Sequence, residues 1–331
     1  MTDSVTIYSI AKETGVSAAT VSRVLNDNPH VSKATRDKVL KALEKSGYVP
    51  NDTARNLVTK SSRMIGVLVS DIRETQQSNT LYTIEQEFMK NSYSCLLYIT
   101  GMNPSGLKKY TKLLSQKKVD GVVLIGSNYT TDEMKQALSA YFARIPVVVL
   151  NGYMEGEKVY SIYCDVGSGI EMCLEYLKGK GRKNIGLVYA MENPGIKKVG
   201  EEVFARHRSD AGVSLFSDCT ERRPEEICDS VARILGEHPE TDALIFADDY
   251  LAIGGMRGIA DLGRTVPGDV SVMGIGNSRY TRIVSPRLTS LDIKLYDCAL
   301  TTVRTMLQAL KGEHVPQTIL MRASLVERES C

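Results

Sequence analysis

The sequence predicts a small all-α head followed by a large α/β body folded as two doubly wound parallel sheets. Three observations carry this. As far as Tyr48, apolar residues recur only at helical spacing, in three short segments that begin with capping residues. From Met64 onward, runs that are apolar throughout alternate with amphipathic segments, the pattern of parallel strands buried on both faces by helices. That alternation continues to the end of a 331-residue chain. It is more than one sheet usually holds, so the body divides into two lobes.

The head reads in order. Thr6 is placed to cap a helix from Ile7 to Thr14, with Ile10 and Ala11 facing inward. Gly15-Val16 breaks it. Ser17 caps a second helix, Ala18 to about Leu25, with Val21, Val24 and Leu25 on its apolar side. "NDNPH" is turn chemistry. Ser32 caps a third helix, "KATRDKVLKALEKS", with Val39, Ala42 and Leu43 inward, and Gly47 stands where a left-handed C-terminal glycine belongs. In "YVPNDTARNLVTKSSR", Pro50 stops what precedes it, Asn51 can cap one short helix from Asp52 to Val58, and "TKSSR" is a polar linker.

The body follows. Its strand-like runs are "MIGVLVS", "SCLLYIT", "DGVVLIG", "PVVVLN", "SIYCD", "NIGLVYA", "DALIFA" and "SVMGIG". Helical segments are expected at Leu81–Asn91, Gly106–Gln116, Thr131–Phe142, Ser168–Lys178, Pro224–Leu235 and Tyr250–Leu262. The division is therefore head 1–48, hinge and linker 49–62, and a body 63–331. Lobe 1 takes about 63–163 and 293–320, and lobe 2 about 164–290 and 321–331. Ligands of such sheets bind beyond the carboxyl ends of the strands, and in two lobes those ends can face one cleft.

Composition narrows the function. The net charge of +2 is no polycation, so any nucleic-acid surface is local. Up to Arg63 the bases Lys12, Arg23, Lys33, Arg36, Lys38, Lys41, Lys45, Arg55, Lys60 and Arg63 outnumber the acids Asp3, Glu13, Asp27, Asp37, Glu44 and Asp52. That is +4 on the head and hinge and −2 on the rest. The seven cysteines are scattered without a C-x-x-C, and the four histidines stand far apart, so neither a disulfide framework nor a metal site is expected. No cofactor is expected either. The amino terminus lacks an apolar signal core and no apolar run approaches spanning length, so a cytoplasmic protein is expected. Neither G-x-G-x-x-G, a Walker loop, G-x-S-x-G nor a Cys/His dyad by spacing occurs, which argues against an enzyme.

Helix, glycine-containing turn, and second helix opening on small residues make a helix-turn-helix, whose second helix enters the major groove amino end first. The pattern "GVS-x-x-TVSRVLN…VS-x-x-TR-x-KV…GY-x-PN-x-x-AR-x-L…IGV" resembles the amino-terminal region of the lactose-repressor/galactose-repressor (LacI/GalR) family. "KKVDGVVLIGS", "IPVVVLN", "GRKNIGLV", "ALIFADDYLAIGGMRGIADLGRTVPGDVSVMGIGN" and "SPRLTSL" extend the resemblance to nearly the whole chain. It implies a homodimeric, sometimes tetrameric, DNA-binding repressor with a periplasmic-binding-protein-like core.

The resemblance implies that Ala18, Ala19 and Arg23 face bases. Arginine reads guanine O6 and N7, and alanine packs on a thymine methyl or simply gives clearance. Arg23 could instead contact phosphate. Tyr8, Ser17, Thr20, Ser22 and Asn26 suit phosphate and sugar contacts, which position rather than specify. In the hinge, Leu57 is implied to wedge into the minor groove beside its dimer mate, or else to pack the two hinge helices together. A pyrimidine–purine step, CG in particular, is expected at the centre. Asn51 can cap this helix, Ala54 is small enough for such close approach and Arg55 could reach phosphate. The lysine that some relatives carry after the wedge is Val58 here.

The effector pocket departs from the family. The "R-x-x-G-F/Y" after "IGLV" is absent, with Lys197 or Lys198 near the arginine's place. Gly276 stands at the position of the aspartate that holds ligand hydroxyls. "RETQQSNT" replaces the aromatic-bearing loop after the first strand and offers Gln76 and Gln77. Candidate cleft residues are Arg73, Gln76, Asp165, Lys198, Asp248 and Asn277, although Asp248 and Asp249 also suit a helix cap and first turn. A simple sugar fits this set poorly. The cations Arg73 and Lys198 would suit a sugar phosphate. A protein corepressor is the alternative. The expected partners are thus operator DNA, a second copy of the chain, and either a sugar or sugar-phosphate effector or a corepressor, with no membrane. A sugar-binding protein and a nucleotide-dependent enzyme are remote alternatives.

Overall fold

The computed structural model describes residues 6–25, 28–47, 61–101, 106–191, 194–208 and 212–331. The chain divides into two compact units, Met1–Ser62 and Arg63–Cys331.

Among its described residues the first unit has three helices around one small core. α1 (Ile7–Thr14) opens on a reciprocal cap in which the Thr6 side chain accepts from Ser9 N and the Ser9 side chain accepts from Thr6 N. Gly15 ends it with φ +65, a left-handed turn that a side chain would strain. α2 (Ala18–Leu25) starts where Ser17 Oγ accepts from Thr20 N at 3.1 Å. α3 (Lys33–Ser46) is capped by Ser32 and closed by left-handed Gly47. Ile10, Ala11, Val21, Val24, Val39, Ala42 and Leu43 form the buried centre. These capped segments and inward residues are the ones the sequence indicates.

The second unit holds two six-stranded sheets. Its strands are β1 (Met64–Val69), β2 (Ser94–Ile99), β3 (Gly121–Ile125), β4 (Val147–Leu150), β5 (Val159–Asp165), β6 (Asn184–Ala190), β7 (Ser214–Thr220), β8 (Ala243–Phe246), β9 (Ser271–Ile275), β10 (Thr289–Asp292), β11 (Thr318–Arg322) and β12 (Ser324–Val326). The first sheet runs β11-β5-β4-β3-β1-β2 and is wholly parallel. The second runs β12-β10-β9-β8-β6-β7, parallel except for its edge strand β12, antiparallel to β10. The expectation of two parallel sheets is corrected at that one edge.

Helices cover both faces of each sheet. α4 (Thr75–Lys90) and α11 (Leu295–Leu310) bury Ile84, Phe88, Val303 and Met306 on one face of the first. α5 (Leu107–Gln116) and α6 (Asp132–Phe142) bury Leu107, Leu114, Met134 and Leu138 on the other. In the second lobe, α7 (Val166–Gly179) and α8 (Pro194–His207) pack one face, and α9 (Pro224–Glu237) and α10 (Asp249–Asp261) the other. The chain passes between the sheets three times: after Asp165, after Asp292 and after Arg322.

Two expectations need correction. "RETQQSNT" is not a loop: α4 begins at Thr75, six residues before the apolar stripe, and the polar run Thr75–Thr80 carries no apolar signal to mark it. Cys164–Asp165 and Met321–Arg322, placed by sequence in lobe 2, belong to the first sheet, paired in register as Met321↔Cys164 and Arg322↔Asp165. The elements α8, β7, β10, α11, β11 and β12 were not delimited from sequence. The edge strands β7 and β11 are only partly covered and show no continuous apolar run. Asn26 and the hinge residues Asn51, Ala54, Arg55, Leu57 and Val58 lie outside the described residues.

Candidate nucleic-acid interface and interlobe cleft

In the head, burial of Val21 and Val24 fixes which face of α2 looks outward. Ala19 and Arg23, four residues apart, share that face and are exposed. Ala18, Thr20 and Ser22 flank it half-buried, and the Ser17 and Thr20 hydroxyls lie 2.9 Å apart at its start. Tyr8 on α1 is 74% exposed, a large aromatic that the head's own core does not use. The face thus combines methyls, hydroxyls and one long cation with no acidic side chain among them.

Sequence reasoning missed part of the surface. Thr20 and Arg23 line one shallow groove with Asn28, His30, Val31, Ser32 and Thr35. The loop is held in place: Asn28 N donates to Arg23 O at 2.9 Å, and Arg36 Nη2 donates to Asn28 O at 2.7 Å. The amino end of α3 therefore opens beside Arg23, and both attract an anion. The capping serine of "HVSKATR" was the available signal.

In the core, the cleft candidates lie near the carboxyl ends of the strands, and they divide sharply. Gln76, in the first turn of α4, donates through Nε2 to Ile275 O at 3.0 Å, joining the lobes. Asp248 caps α10, accepting from Leu251 N at 2.9 Å, and its other oxygen accepts from Arg222 Nη1 at 2.5 Å. Arg222 also pairs with Glu74 of the first lobe at 2.5 Å and lies over the Tyr250 ring. Arg222 and Glu74 are cleft residues that sequence reasoning missed. Arg222 sits between the carboxyl end of β7 and Pro224 at the start of α9, the one local sign of its place.

The other candidates are engaged elsewhere. Arg73 forks onto Asp71 while 88% of its side chain stays exposed, and that hydrogen bond holds the Asp71 carboxyl below its ordinary value. Asp165 caps α7 at the first crossing, accepting from Ser168 N and Oγ, which lowers its pKa. Lys198 is exposed on α8 in a shallow groove with Lys197, Glu201, Glu202 and Ala205. Asn277 accepts from Arg328 Nη2 at 2.6 Å. Gln77 Oε1 accepts from Ser70 N, Ser70 Oγ and Asp71 N, closing the end of β1.

Asp249, the first residue of α10, is buried, and loss of solvent pushes its carboxyl above the ordinary value. It accepts from Ser278 N and from Ser290 Oγ, both at 2.5 Å, and so pins the loop after β9. Gly276 in that loop has φ +125, open only to glycine, and a Cβ there would fall well inside contact distance of Gln76 Nε2. Among the described residues no group of three or more His, Cys, Asp or Glu could hold a metal, and no helix is long and apolar enough to cross a membrane.

A helix-turn-helix with an exposed reading face, joined in one chain to a two-lobed α/β core, defines a DNA-binding regulator rather than an enzyme. Residues 6–51 match the profile of bacterial regulatory proteins of the lacI family, and residues 174–331 that of the periplasmic binding protein-like domain. An HTH-type transcriptional regulator of Lachnoclostridium phytofermentans is 33% identical, with 98% of each chain covered. Catabolite control protein A of Staphylococcus xylosus is 30% identical over 96% of each. The lac repressor dimer bound to operator and the anti-inducer ONPF has the same fold, with a TM-score of 0.87 at 23% identity over 98% of each chain. The chain belongs to the lacI family of bacterial regulatory proteins, and it is a DNA-binding transcription regulator.

Proposed function

We propose that this regulator is a cytoplasmic repressor that binds a near-palindromic operator as a homodimer, one head on each half-site. The exposed Ala19–Arg23 face of α2 carries this reading. Ala18, Ala19 and Arg23 meet the bases. Tyr8, Ser17, Thr20 and Ser22 position the head on phosphate and sugar, with the groove of Asn28, His30, Ser32 and Thr35 beside them. Asn26 adds to this contact. In the hinge, Asn51, Ala54 and Arg55 support insertion of Leu57. The lac repressor dimer on its operator supports the two-half-site arrangement.

For dimerisation the first lobe offers an apolar surface: Tyr82 and Met89 on α4, Leu97 and Ile99 on the edge strand β2, and Tyr296 on α11 are all exposed. The effector, a sugar or sugar phosphate, enters between the lobes and shifts their angle, which orders or loosens the hinge.

Selection of bound DNA from a random pool, followed by footprinting, tests this. The expected result is a symmetric site protected at two protein chains per duplex. An asymmetric site, or one chain per duplex, overturns it. A protein corepressor is the second reading, favoured by one observation: Gln76 and Arg222 each bond to the opposite lobe, and Asp248 is taken up by Arg222, rather than leaving these polar groups to a small ligand.

A further inference from the structure

We propose that Gln76 is the specificity-determining residue of the cleft: it fills the subsite at Gly276 with the chain's own amide and, together with the Glu74–Arg222 pair, latches the two lobes without any ligand. The exclusion half of this rests on the reading of the cleft as the effector site. The latch half does not.

The geometry is specific. Gln76 and Glu74 stand on the α4 side of the first lobe, while Ile275, Gly276 and Arg222 belong to the second. Gln76 Nε2 meets Ile275 O at 3.0 Å, and the space beside Gly276, where any other residue would place a Cβ, is taken by that same nitrogen. An incoming hydroxyl group would have to displace the amide to reach this place. The loop it grips is itself rigid, since Asp249 holds Ser278 N and Ser290 Oγ, and Ser290 Oγ accepts from Asn277 N.

The second strut is ionic. Arg222 spans Glu74 on one side and Asp248 on the other, both at 2.5 Å, with all three side chains largely withdrawn from solvent. Charge-assisted bonds in such a place are stronger than exposed ones. Asp248 is fixed by its capping role, so Arg222 is aimed at Glu74 rather than swinging free.

An effector therefore works against bonds already made, and it must share the chemistry of what it replaces. Its groups must match a backbone carbonyl acceptor at Ile275 and the Arg222 guanidinium; a hydroxyl can bond to both, but only an anionic group also replaces the charge of Glu74.

Amide hydrogen exchange on the full-length protein tests the latch. Gln76→Ala and Glu74→Gln each remove one strut. The expected result is exchange at 276–279, in the lobe opposite the substitutions, rising by about tenfold in the double variant while β6 and β8 stay protected. Unchanged exchange at 276–279 overturns the latch. Should Gln76→Ala fail to fold, Gln76→Asn, too short to span the cleft, gives the same reading. Calorimetry with glucose and glucose 6-phosphate separates the two halves. Gln76→Ala binding either probe more tightly than the parent supports exclusion, and equal affinity overturns it. Binding of neither probe by either protein, with exchange raised, would leave the latch standing and remove the cleft as the site for those sugars.

Discussion

Lys294 Nζ donates to Ser324 Oγ at 2.6 Å and to Asp292 Oδ2 at 3.0 Å, tying the second passage between the lobes to the third. The backbone accommodates this by holding Lys294 at φ +57, a left-handed conformation that costs a side-chain-bearing residue about 1 kcal/mol. Lys294→Ala loses the clasp and keeps the strain, so it should destabilise the core by about 1 kcal/mol. Lys294→Gly sheds the strain and should lose less. Urea unfolding of both variants checks the order, and a glycine variant less stable than the alanine one would contradict it.

Arg23 shares the exposed face of α2 with Ala19, and the alanines bring no hydrogen bonds of their own. Arg23→Ala should cost about 1–3 kcal/mol of operator affinity and relax discrimination at one guanine. The measurement is binding to operators substituted one base pair at a time, at fixed salt. Equal weakening on every sequence would assign Arg23 to phosphate.

Asp165 caps α7 where the chain first leaves the first sheet. Its folded pKa lies below the ordinary 3.8, through the Ser168 side-chain and backbone bonds. The charged cap therefore adds stability above pH 3.8 that is lost as pH falls through the lowered folded value. Asp165→Ala should cost about 1 kcal/mol at neutral pH. Asp165→Asn keeps a capping oxygen and should lack this part of the acid dependence. Unfolding titrations at neutral pH and below pH 4 distinguish them, and parallel pH profiles for parent and asparagine variant would count against the assignment.

Gly255 lies against the ring of buried Phe246, and a Cβ there would overlap it. Gly255→Ala should destabilise the second lobe by about 1–3 kcal/mol through overpacking. Phe246→Leu in the same chain should recover part of that loss, giving a coupling that a double-mutant cycle measures. Strict additivity would mean that the two sites relax independently.

What could be read from the sequence depended on how far each signal reaches along the chain. Thr6, Ser17 and Ser32 act on amides three residues away, and Gly15 and Gly47 on the turn they occupy, so the head was legible residue by residue. The central strands β1, β3, β8 and β9 are buried nearly end to end, and continuous apolar runs announce them. The edge strand β7 is only partly covered along its length, which erased its signal. The six polar residues Thr75–Thr80 hid the beginning of α4, since they carry no apolar stripe. Gln76 was singled out by its type, but its partner lies 199 residues away, beyond any spacing rule. Asp165 and Asn277 show the opposite case: polar residues at strand ends that the fold spends on caps and loop bonds.

The three passages between the sheets, at Asp165, Asp292 and Arg322, set what the core can report. A single strap would let the lobes twist, slide and separate in any direction. Three straps at one side suppress sliding and separation and leave one easy motion, a pivot about their common line. The core would in that sense act as a gauge with one needle: an occupant of the proposed cleft, metabolite or protein, would be converted into an angle before it is converted into anything else.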